Sequence, residues 1–466
     1  MELLIPLDSR SKKPLYEQIY SHICAEIRGG ALKTGDRLPS TRVLAEHLKV
    51  SRSTTQMAYD QLLAEGYMES RPCRGYFVSH LDELVETGPS GAEEMETTAE
   101  PDAGWRVDFS PRGIDLDSFP YHVWRKLSRN TLVDDNKEMF HSGNHQGEPG
   151  LREAIRSYLH SARGVNCSPE QIIVGAGSEY LLMLLSQILE GKHVIAMENP
   201  TYKQAYRVFR SLGYEVCPVE MDTNGMEPEL LTRSGANVAY VMPSHQFPTG
   251  VVMPVGRRQE LLKWAVEAPD RYIIEDDYDS EFRYRGKPIP ALQGMDRSGR
   301  VIYLGTFSKC IAPAIRVSYL VLPTHLLLRY RSQTSFYAST VSRIDQNILY
   351  QFLAGGYFER HLNRMRAVYK TKHDLLLEQI EPLRERFEIR GEHAGIHILL
   401  TSRQGESEEQ LIQKAEEAGV KVYGLSSYFI HPQHNHRPAT VVLGYASLSE
   451  EQIVEGIRLL MECWDA

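Results

Sequence analysis

Residues 301–323 read "VIYLGTFSKCIAPAIRVSYLVLP", and the way this stretch folds decides how the rest of the chain is read. Residues 301–305 form an unbroken apolar run of strand length. Thr306, Phe307 and Ser308 lead out of it into Lys309, and after Arg316 a second apolar run begins. Val- and Ile-rich runs without strict alternation mark strands buried on both faces. A lysine just past such a strand either reaches water or meets a group that takes an amine or a positive charge.

Six more runs of this kind lie between helix-like segments from residue 171 onward: "QIIVGAG", "HVIAMEN", "EVCPVEM", "VAYVMPS", "RYIIEDD" and "SYLVLP". Together the seven predict an α/β body with a mostly parallel seven-stranded sheet, covered by helices on both sides. Ligands of such sheets sit beyond the carboxyl ends of the strands, so the residues there form one candidate site. After the first run comes Gly175-Ala176-Gly177-Ser178-Glu179, which opens a helix. Free amides and small residues at a helix start make an anion cradle. Tyr202 follows "HVIAMEN", Ser244 and His245 follow "VAYVMP", and Asp276 and Tyr278 end "RYIIEDDY". An acid beside a buried strand is costly unless a cation or a protonated nitrogen meets it. Phosphate cradle, aromatic ring, acid, phenol, lysine and arginine together match one cofactor, pyridoxal 5′-phosphate (PLP). The lysine forms its Schiff base, and an acid holds the pyridine nitrogen protonated.

The 466-residue chain is long enough for two or three domains and carries a net charge of −9. That charge is unevenly spread. Residues 1–78 hold 11 Lys and Arg against 9 acids. Residues 79–104 hold eight acids and no Lys or Arg. The acidic stretch, rich in Gly, Pro, Ser and Thr, reads as a flexible linker with a coil reach of about 30 Å. The predicted organisation is a head over 1–78, a linker over 79–104 and a body over 105–466. Six scattered cysteines without a CxxC pair argue against disulfides and a zinc site, and fit a reducing cytoplasm. No apolar stretch approaches membrane length, so no membrane partner is expected.

In the head, Leu15, Ile19, Ile23 and Ile27 make one helical stripe. A second helix is capped by Ser40, with Val43, Leu44 and Leu48 on one face. A turn at Lys49-Val50 leads to a third helix capped by Ser51, with Ala58, Leu62 and Leu63 inward. Two short helices around such a turn are a helix-turn-helix. "YMESRPCRGYFV" then turns back on itself as a wing. Arg52, Ser53, Thr54 and Thr55 occupy the first turn of the recognition helix, where base edges are met. Arg37, Ser40 and Arg42 are placed for phosphates, and Arg74-Gly75 for the wing tip.

"LPSTR", "SRSTT" and "GYMESRPCRGYFV", in that order, resemble the winged helix-turn-helix of GntR-type bacterial regulators. The body, through "HQGEPGLREAI", "PTG" at 248–250, Asp276 with Tyr278, and "SKCIAPAIR", resembles class I (fold-type I) aminotransferases over essentially all of 105–466. Head and body in one chain, with "PSHQFPTG" and "IIEDDYDSEF", resemble the MocR/GabR subfamily of GntR regulators. The resemblance implies a fold-type I PLP-dependent body with a smaller C-terminal α+β part. It implies that Lys309 is the aldimine lysine, Asp276 faces the pyridine nitrogen, Tyr278 the ring oxygen, and Tyr202 the ring face. Gly177, Ser178, Ser308 and Arg316 would take the phosphate, with Glu179 and Ser244 beside the cofactor. It further implies a homodimer on paired promoter half-sites, in which an effector amine or amino acid forms an external aldimine at Lys309's expense. The fold would then serve sensing rather than turnover. Two rival readings are an active aminotransferase carrying a DNA-binding head, and a regulator that senses PLP itself.

The sequence departs from the aminotransferases at two places. Phe247 stands where they keep an asparagine before the proline of PTG, leaving the ring oxygen to Tyr278, Ser244 or His245. Val442 stands where they keep an arginine for the substrate carboxylate. Ser427, His431, Arg437 and His245 are the candidate effector contacts. The cluster His431, His434, His436 lacks a carboxylate or cysteine and reads as a solvated loop, not a metal site.

Overall fold

Helix α1 (Leu15–Arg28) buries Ile19, Ile23 and Ile27, the predicted stripe. The computed structural model describes residues 3–8, 11–80, 104–132, 137–284, 288–431 and 438–465. Most of the acidic 79–104 segment, and His434, His436 and Arg437, lie outside the described residues. The chain divides into two units, Met1–Pro101 and Asp102–Ala466.

In the first unit, Ser40 caps α2 (Thr41–Leu48), its Oγ accepting from the Val43 amide at 3.3 Å. The helix stops at Lys49, which is left-handed at φ 54°. Ser51 caps α3 (Arg52–Ala64) in the same way, accepting from the Thr54 amide at 3.2 Å. Strands β1 (Arg37–Leu38), β2 (Met68–Arg71) and β3 (Gly75–Val78) form an antiparallel sheet in the order β1-β3-β2. Two expected placements are corrected. Val43 is 56% exposed, because the inward stripe of α2 runs through Thr41, Leu44 and Ala45. Thr55 is fully buried and donates its Oγ1 to the Thr41 carbonyl at 2.9 Å. It ties the starts of α2 and α3 together and is closed to a ligand.

The second unit starts with β4 (Val107–Asp108), α4 (Tyr121–Leu132) and α5 (Pro149–Arg163). Its main sheet is built from β5 (Ile172–Gly175), β6 (Val194–Asn199), β7 (Glu215–Asp222), β8 (Gly225–Met226), β9 (Val238–Val241), β10 (Tyr272–Asp277), β11 (Val301–Thr306) and β12 (Ser318–Val321). The order across it is β5-β12-β11-β10-β9-β6-β7-β8. All seven predicted strands are present. The sheet has an eighth, the two-residue β8, which pairs antiparallel on β7 and was too short to show as a run. The strands from β11 across to β7 pair in parallel, whereas β12 runs against both β11 and β5. Helices α6 (Ser178–Leu189), α7 (Lys203–Ser211), α8 (Pro228–Arg233) and α9 (Val255–Val266) alternate with the strands, followed by α10 (Thr324–Gln333) and α11 (Arg343–Ala354). Apolar clusters lie on both faces of the sheet, which is why its strands read as continuous runs.

A smaller α+β part follows, on the long helix α12 (Tyr357–Gln379). Strands β13 (Phe387–Arg390), β14 (His397–Ser402), β16 (Tyr423–Gly424) and β17 (Thr440–Gly444) form an antiparallel sheet in the order β13-β14-β17-β16. Helices α13 (Glu408–Glu417) and α14 (Glu450–Asp465) cover it, with Trp464 in the core. β4 returns here to pair with β15 (Val420–Lys421), so the first strand of the body is held by its last part.

The last residue of α5 is wholly buried. Arg163 pairs through Nε with Asp277 Oδ2 at 2.8 Å, both side chains under 5% exposed, and donates through Nη2 to Ser244 Oγ at 2.5 Å. Removing one partner of such a pair leaves an uncompensated buried charge. Arg163→Met is expected to destabilise the body by about 3–5 kcal/mol. A lower urea midpoint with an unchanged denaturant slope is the measurement that shows it.

Candidate functional site

The carboxyl ends of β9, β10 and β11 converge because these three strands are neighbours in the sheet. Thr306, at the end of β11, fixes the turn that follows. Its Oγ1 accepts from the Ser308 amide at 3.2 Å and from Ser318 Oγ at 2.9 Å. Lys309 comes next, half-buried. Its Nζ donates to the carbonyls of Arg112 at 2.7 Å and Pro111 at 3.4 Å. Burial lowers its pKa to about 8; Asp279 opposes that shift and Arg112 adds to it. Among the described residues no carboxylate is bonded to this amine.

Strand β10 ends in three buried acids, Glu275, Asp276 and Asp277. Alternation sends the middle one to the opposite face from its neighbours. Glu275 accepts from the Leu292 and Gln293 amides at 2.8 Å each. Asp277 has Arg163 and the Tyr303 hydroxyl. Among the described residues Asp276 has the Tyr240 hydroxyl alone, donated from β9. Burial pushes its pKa up to about 7, Tyr240 working against that and Asp277 and Asp279 with it.

Beyond the strand, the Tyr278 hydroxyl lies 3.0 Å from His245 Nδ1, which bonds Asp279 Oδ2 at 2.9 Å. His245 Nε2 is buried without a partner among the described residues. Tyr202, at the start of α7, stands edge-on to Phe247 at 6.1 Å. Burial raises the Tyr202 phenol to about 12, and the charges of Glu179, Asp276, Arg112 and Arg316 all act on it.

Gly177 caps α6 at φ 95°. A side chain there would be strained, and its Cβ would come within 2.7 Å of Arg316 Nη2 and 2.9 Å of Glu179 Oε2. Arg316, itself left-handed at φ 52°, pairs with Glu179 at 3.3 Å. The helix start, with Ser178 as its first residue, and the guanidinium thus meet at the predicted cradle, and Ser308 is half-buried in the β11–β12 turn. Ser244 is brought close, but its hydroxyl accepts from Arg163. The Ser427 hydroxyl donates to the Gly424 carbonyl at 2.8 Å. His431 is exposed, and Arg437 lies outside the described residues. Val442 is fully buried in the apolar core.

Several residues of this pocket were missed from the sequence. Tyr240 and Arg163 lie far along the chain from the acids they serve. Thr340 accepts from the Ala176 amide at 3.0 Å, and nothing in its surroundings marks it. Asp279 was visible in "EDDYDSEF", where the acid three residues past Asp276 deserved weight beside Tyr278.

In the head, Arg52 is the first residue of α3 and, like Ser53, is exposed. Ser51 Oγ lies 2.7 Å from Ser53 Oγ and 2.8 Å from Thr54 Oγ1. Arg42 pairs with Glu46 at 3.3 Å in full solvent, an interaction weak enough to exchange for another anion. Arg37 lies on β1 opposite Phe77, near the wing turn that carries exposed Arg74 and left-handed Gly75.

The acid at 276 yields a prediction for the cofactor-free protein. An unfolded aspartate loses its proton near pH 4 (~3.9), whereas folding keeps Asp276 protonated up to about pH 7. Its contribution to stability therefore falls as pH rises through that window and stays reduced above it. Asp276→Asn should stabilise the cofactor-free body at pH 8 by roughly 2–4 kcal/mol and be neutral near pH 4, as read by urea unfolding at the two pH values.

Residues 15–78 match the family of bacterial regulatory proteins of the gntR type, and residues 115–459 match aminotransferase class I and II. The HTH-type transcriptional regulator YdeL of Bacillus subtilis is 41% identical over 97% of both chains. The probable rhizopine catabolism regulatory protein MocR of Rhizobium meliloti is 35% identical over 98% of this chain and 95% of its own. Among solved structures, the multiple substrate aminotransferase of Thermococcus profundus superposes with a TM-score of 0.68 at 28% identity, covering 77% of this chain and 90% of that one. With a GntR head, a PLP-dependent aminotransferase-like body and relatives matched from end to end, the chain belongs to the MocR/GabR-type subfamily of GntR transcriptional regulators.

Proposed function

We propose that the body senses an amine or amino acid by exchange at Lys309 and that the head carries the result to promoter DNA. Bound PLP supplies an aldehyde that condenses reversibly with primary amines, an electron-drawing ring, and a visible absorbance that reports which amine is attached. The observation that carries the reading is the setting of the Lys309 amine. It is held by two carbonyls, has no bonded carboxylate among the described residues, and has a pKa lowered to about 8. An amine so placed gives up its proton near neutral pH far more readily than a solvated lysine, and its neutral form is the nucleophile.

The remaining residues suit the same cofactor. Asp276, a carboxyl without a cation bonded to it among the described residues, fits a partner whose nitrogen shares a proton with it. Phe247 offers no hydrogen bond, so Tyr278, backed by His245 and Asp279, would serve the ring oxygen. Tyr202 would cover the ring. The amides at Ser178 and Glu179, with Gly177, Ser308 and Arg316, would hold the phosphate. The Arg316–Glu179 pair is solvent-exposed on the arginine side and gives way easily to a stronger anion. In the head, Arg52 would read base edges, while Arg37, Ser40, Arg42, Arg74 and Gly75 would position the backbone. Two heads in a homodimer would meet paired half-sites.

Differential effector affinity for two arrangements of the protein would shift promoter occupancy by a typical coupling of about 1–3 kcal/mol. The direct test is Lys309→Ala in the full chain. It should remove both the visible band of the loaded protein and any amine-dependent change in promoter affinity, while specific DNA binding persists. An amine response that survives in Lys309→Ala would refute exchange at this residue. For the head, Arg52→Ala should lose about 1–3 kcal/mol of discrimination between operator and mutated operator. Equal weakening on all sequences would instead make it a backbone contact.

A further inference from the structure

We propose that Arg112 is the receptor for a carboxylate on the effector, so that the body recognises an amino acid rather than a bare amine. This rests on the reading of Lys309 given above and narrows the ligand class. The turn at 110–113 that carries Arg112 is firmly placed. The Phe109 amide donates to the Lys421 carbonyl at 3.0 Å, the Gly444 amide donates to the Phe109 carbonyl at 2.8 Å, and Tyr423 donates to Asp108 Oδ1 at 2.9 Å. Gly444 lets the turn come this close, because any Cβ there would collide with the Ser110 carbonyl and Pro111 Cα.

The same turn adjoins the reacting amine. The Arg112 carbonyl is 2.7 Å from Lys309 Nζ. Its guanidinium is exposed and has no ion pair or side-chain hydrogen bond among the described residues. Two other arginines near the site have other roles: Arg163 is buried with Asp277, and Arg316 is the one assigned above to the cofactor phosphate. The Arg112 charge is also felt across the pocket: it pulls the Tyr202 and Tyr428 phenols down against the rise that burial causes, and it lowers Lys309. Strand β17 offers no rival cation at its usual place, since Val442 is fully buried between Leu399 and Tyr423. The neighbouring wall is aromatic, with Phe247 edge-on to Tyr428 at 5.2 Å. A carboxylate entering such a pocket takes a planar two-point donor best. Hydrogen bonds to a charged partner of this kind separate ligands by roughly ten- to a hundredfold.

The experiment titrates the full-length, PLP-loaded protein with pairs that differ only by a carboxylate, reading the visible band. Suitable pairs are alanine against ethylamine and phenylalanine against phenethylamine, extended over a panel of D and L amino acids and their decarboxylated amines. The wild type should respond to at least one amino acid at a concentration tenfold or more below that of its amine. Arg112→Gln should abolish that preference by weakening the acid tenfold or more, with the amine unchanged and the cofactor retained. Arg112→Lys should recover part of it. A preference that survives in Arg112→Gln, or a wild type that responds equally to acid and amine, overturns the role of Arg112 and leaves the sensing reading intact. A wild-type band indifferent to every acid and every amine overturns the sensing reading and this proposal with it.

Discussion

A carboxyl group buried without a bonded counter-ion among the described residues is the constraint on which the rest of the body turns. Three acids end β10, the middle strand of a sheet covered on both sides. Asp277 is paired with Arg163, while Glu275 accepts from two backbone amides and is still pushed up to about 7 by its burial. Asp276, whose one bonded partner among the described residues is the Tyr240 phenol, is raised by burial to about 7 as well. A fold selected for stability alone would set an apolar residue there. Retaining the acid makes physical sense when a ligand brings the missing proton and a ring to carry it. The sheet order supplies the rest: β11 delivers Lys309 on one side of β10 and β9 delivers Tyr240 on the other.

The sheet was legible in the sequence for a simple reason. A strand covered on both faces has no polar face to interrupt it, so its length shows as an apolar run, and seven of the eight strands showed themselves this way. The eighth, β8, is two residues long and carries no periodicity. The site was legible because α/β topology brings the ends of successive strands together, so residues far apart in sequence become one list. What stayed hidden was whatever reaches the site from outside that list. Arg163 comes from the end of a helix over a hundred residues before Asp277, and Arg112 comes from a turn after a two-residue strand. The head failed differently. Val43 and Thr55 were misread because two short helices packed at an angle bury one stripe each. On so few turns, a one-residue error in phase exchanges inside for outside.

The departures from the aminotransferase pattern are of one physical kind. Phe247 replaces a hydrogen-bonding residue beside the ring, and Val442 replaces a cation at the substrate position. In both places a polar contact becomes apolar, and Phe247, Tyr202, Tyr278 and Tyr428 form a connected set of rings. An enzyme must hold its substrate in one geometry through every step, which calls for fixed charged anchors. A sensor needs only a difference in binding free energy between two states. On the proposed reading, an aromatic wall with the Arg112 guanidinium, unpaired among the described residues, is sufficient for the second task.

Connectivity gives the turn at 110–113 a further consequence. It begins only a few residues after the acidic segment that joins head to body, and its carbonyls are the acceptors that hold the Lys309 amine. When that amine is committed elsewhere, the part-buried Pro111 carbonyl and the exposed Arg112 carbonyl exchange its donation for water, and a hydrogen bond exchanged in this way is worth about 0.5–1.5 kcal/mol. The two bonds together reach the lower part of a typical allosteric coupling, about 1–3 kcal/mol. On the proposed reading, the free energy of changing partners at Lys309 is therefore felt first in the stretch of backbone that leads to the DNA-binding head. No contact between head and body is needed for the signal to start on its way.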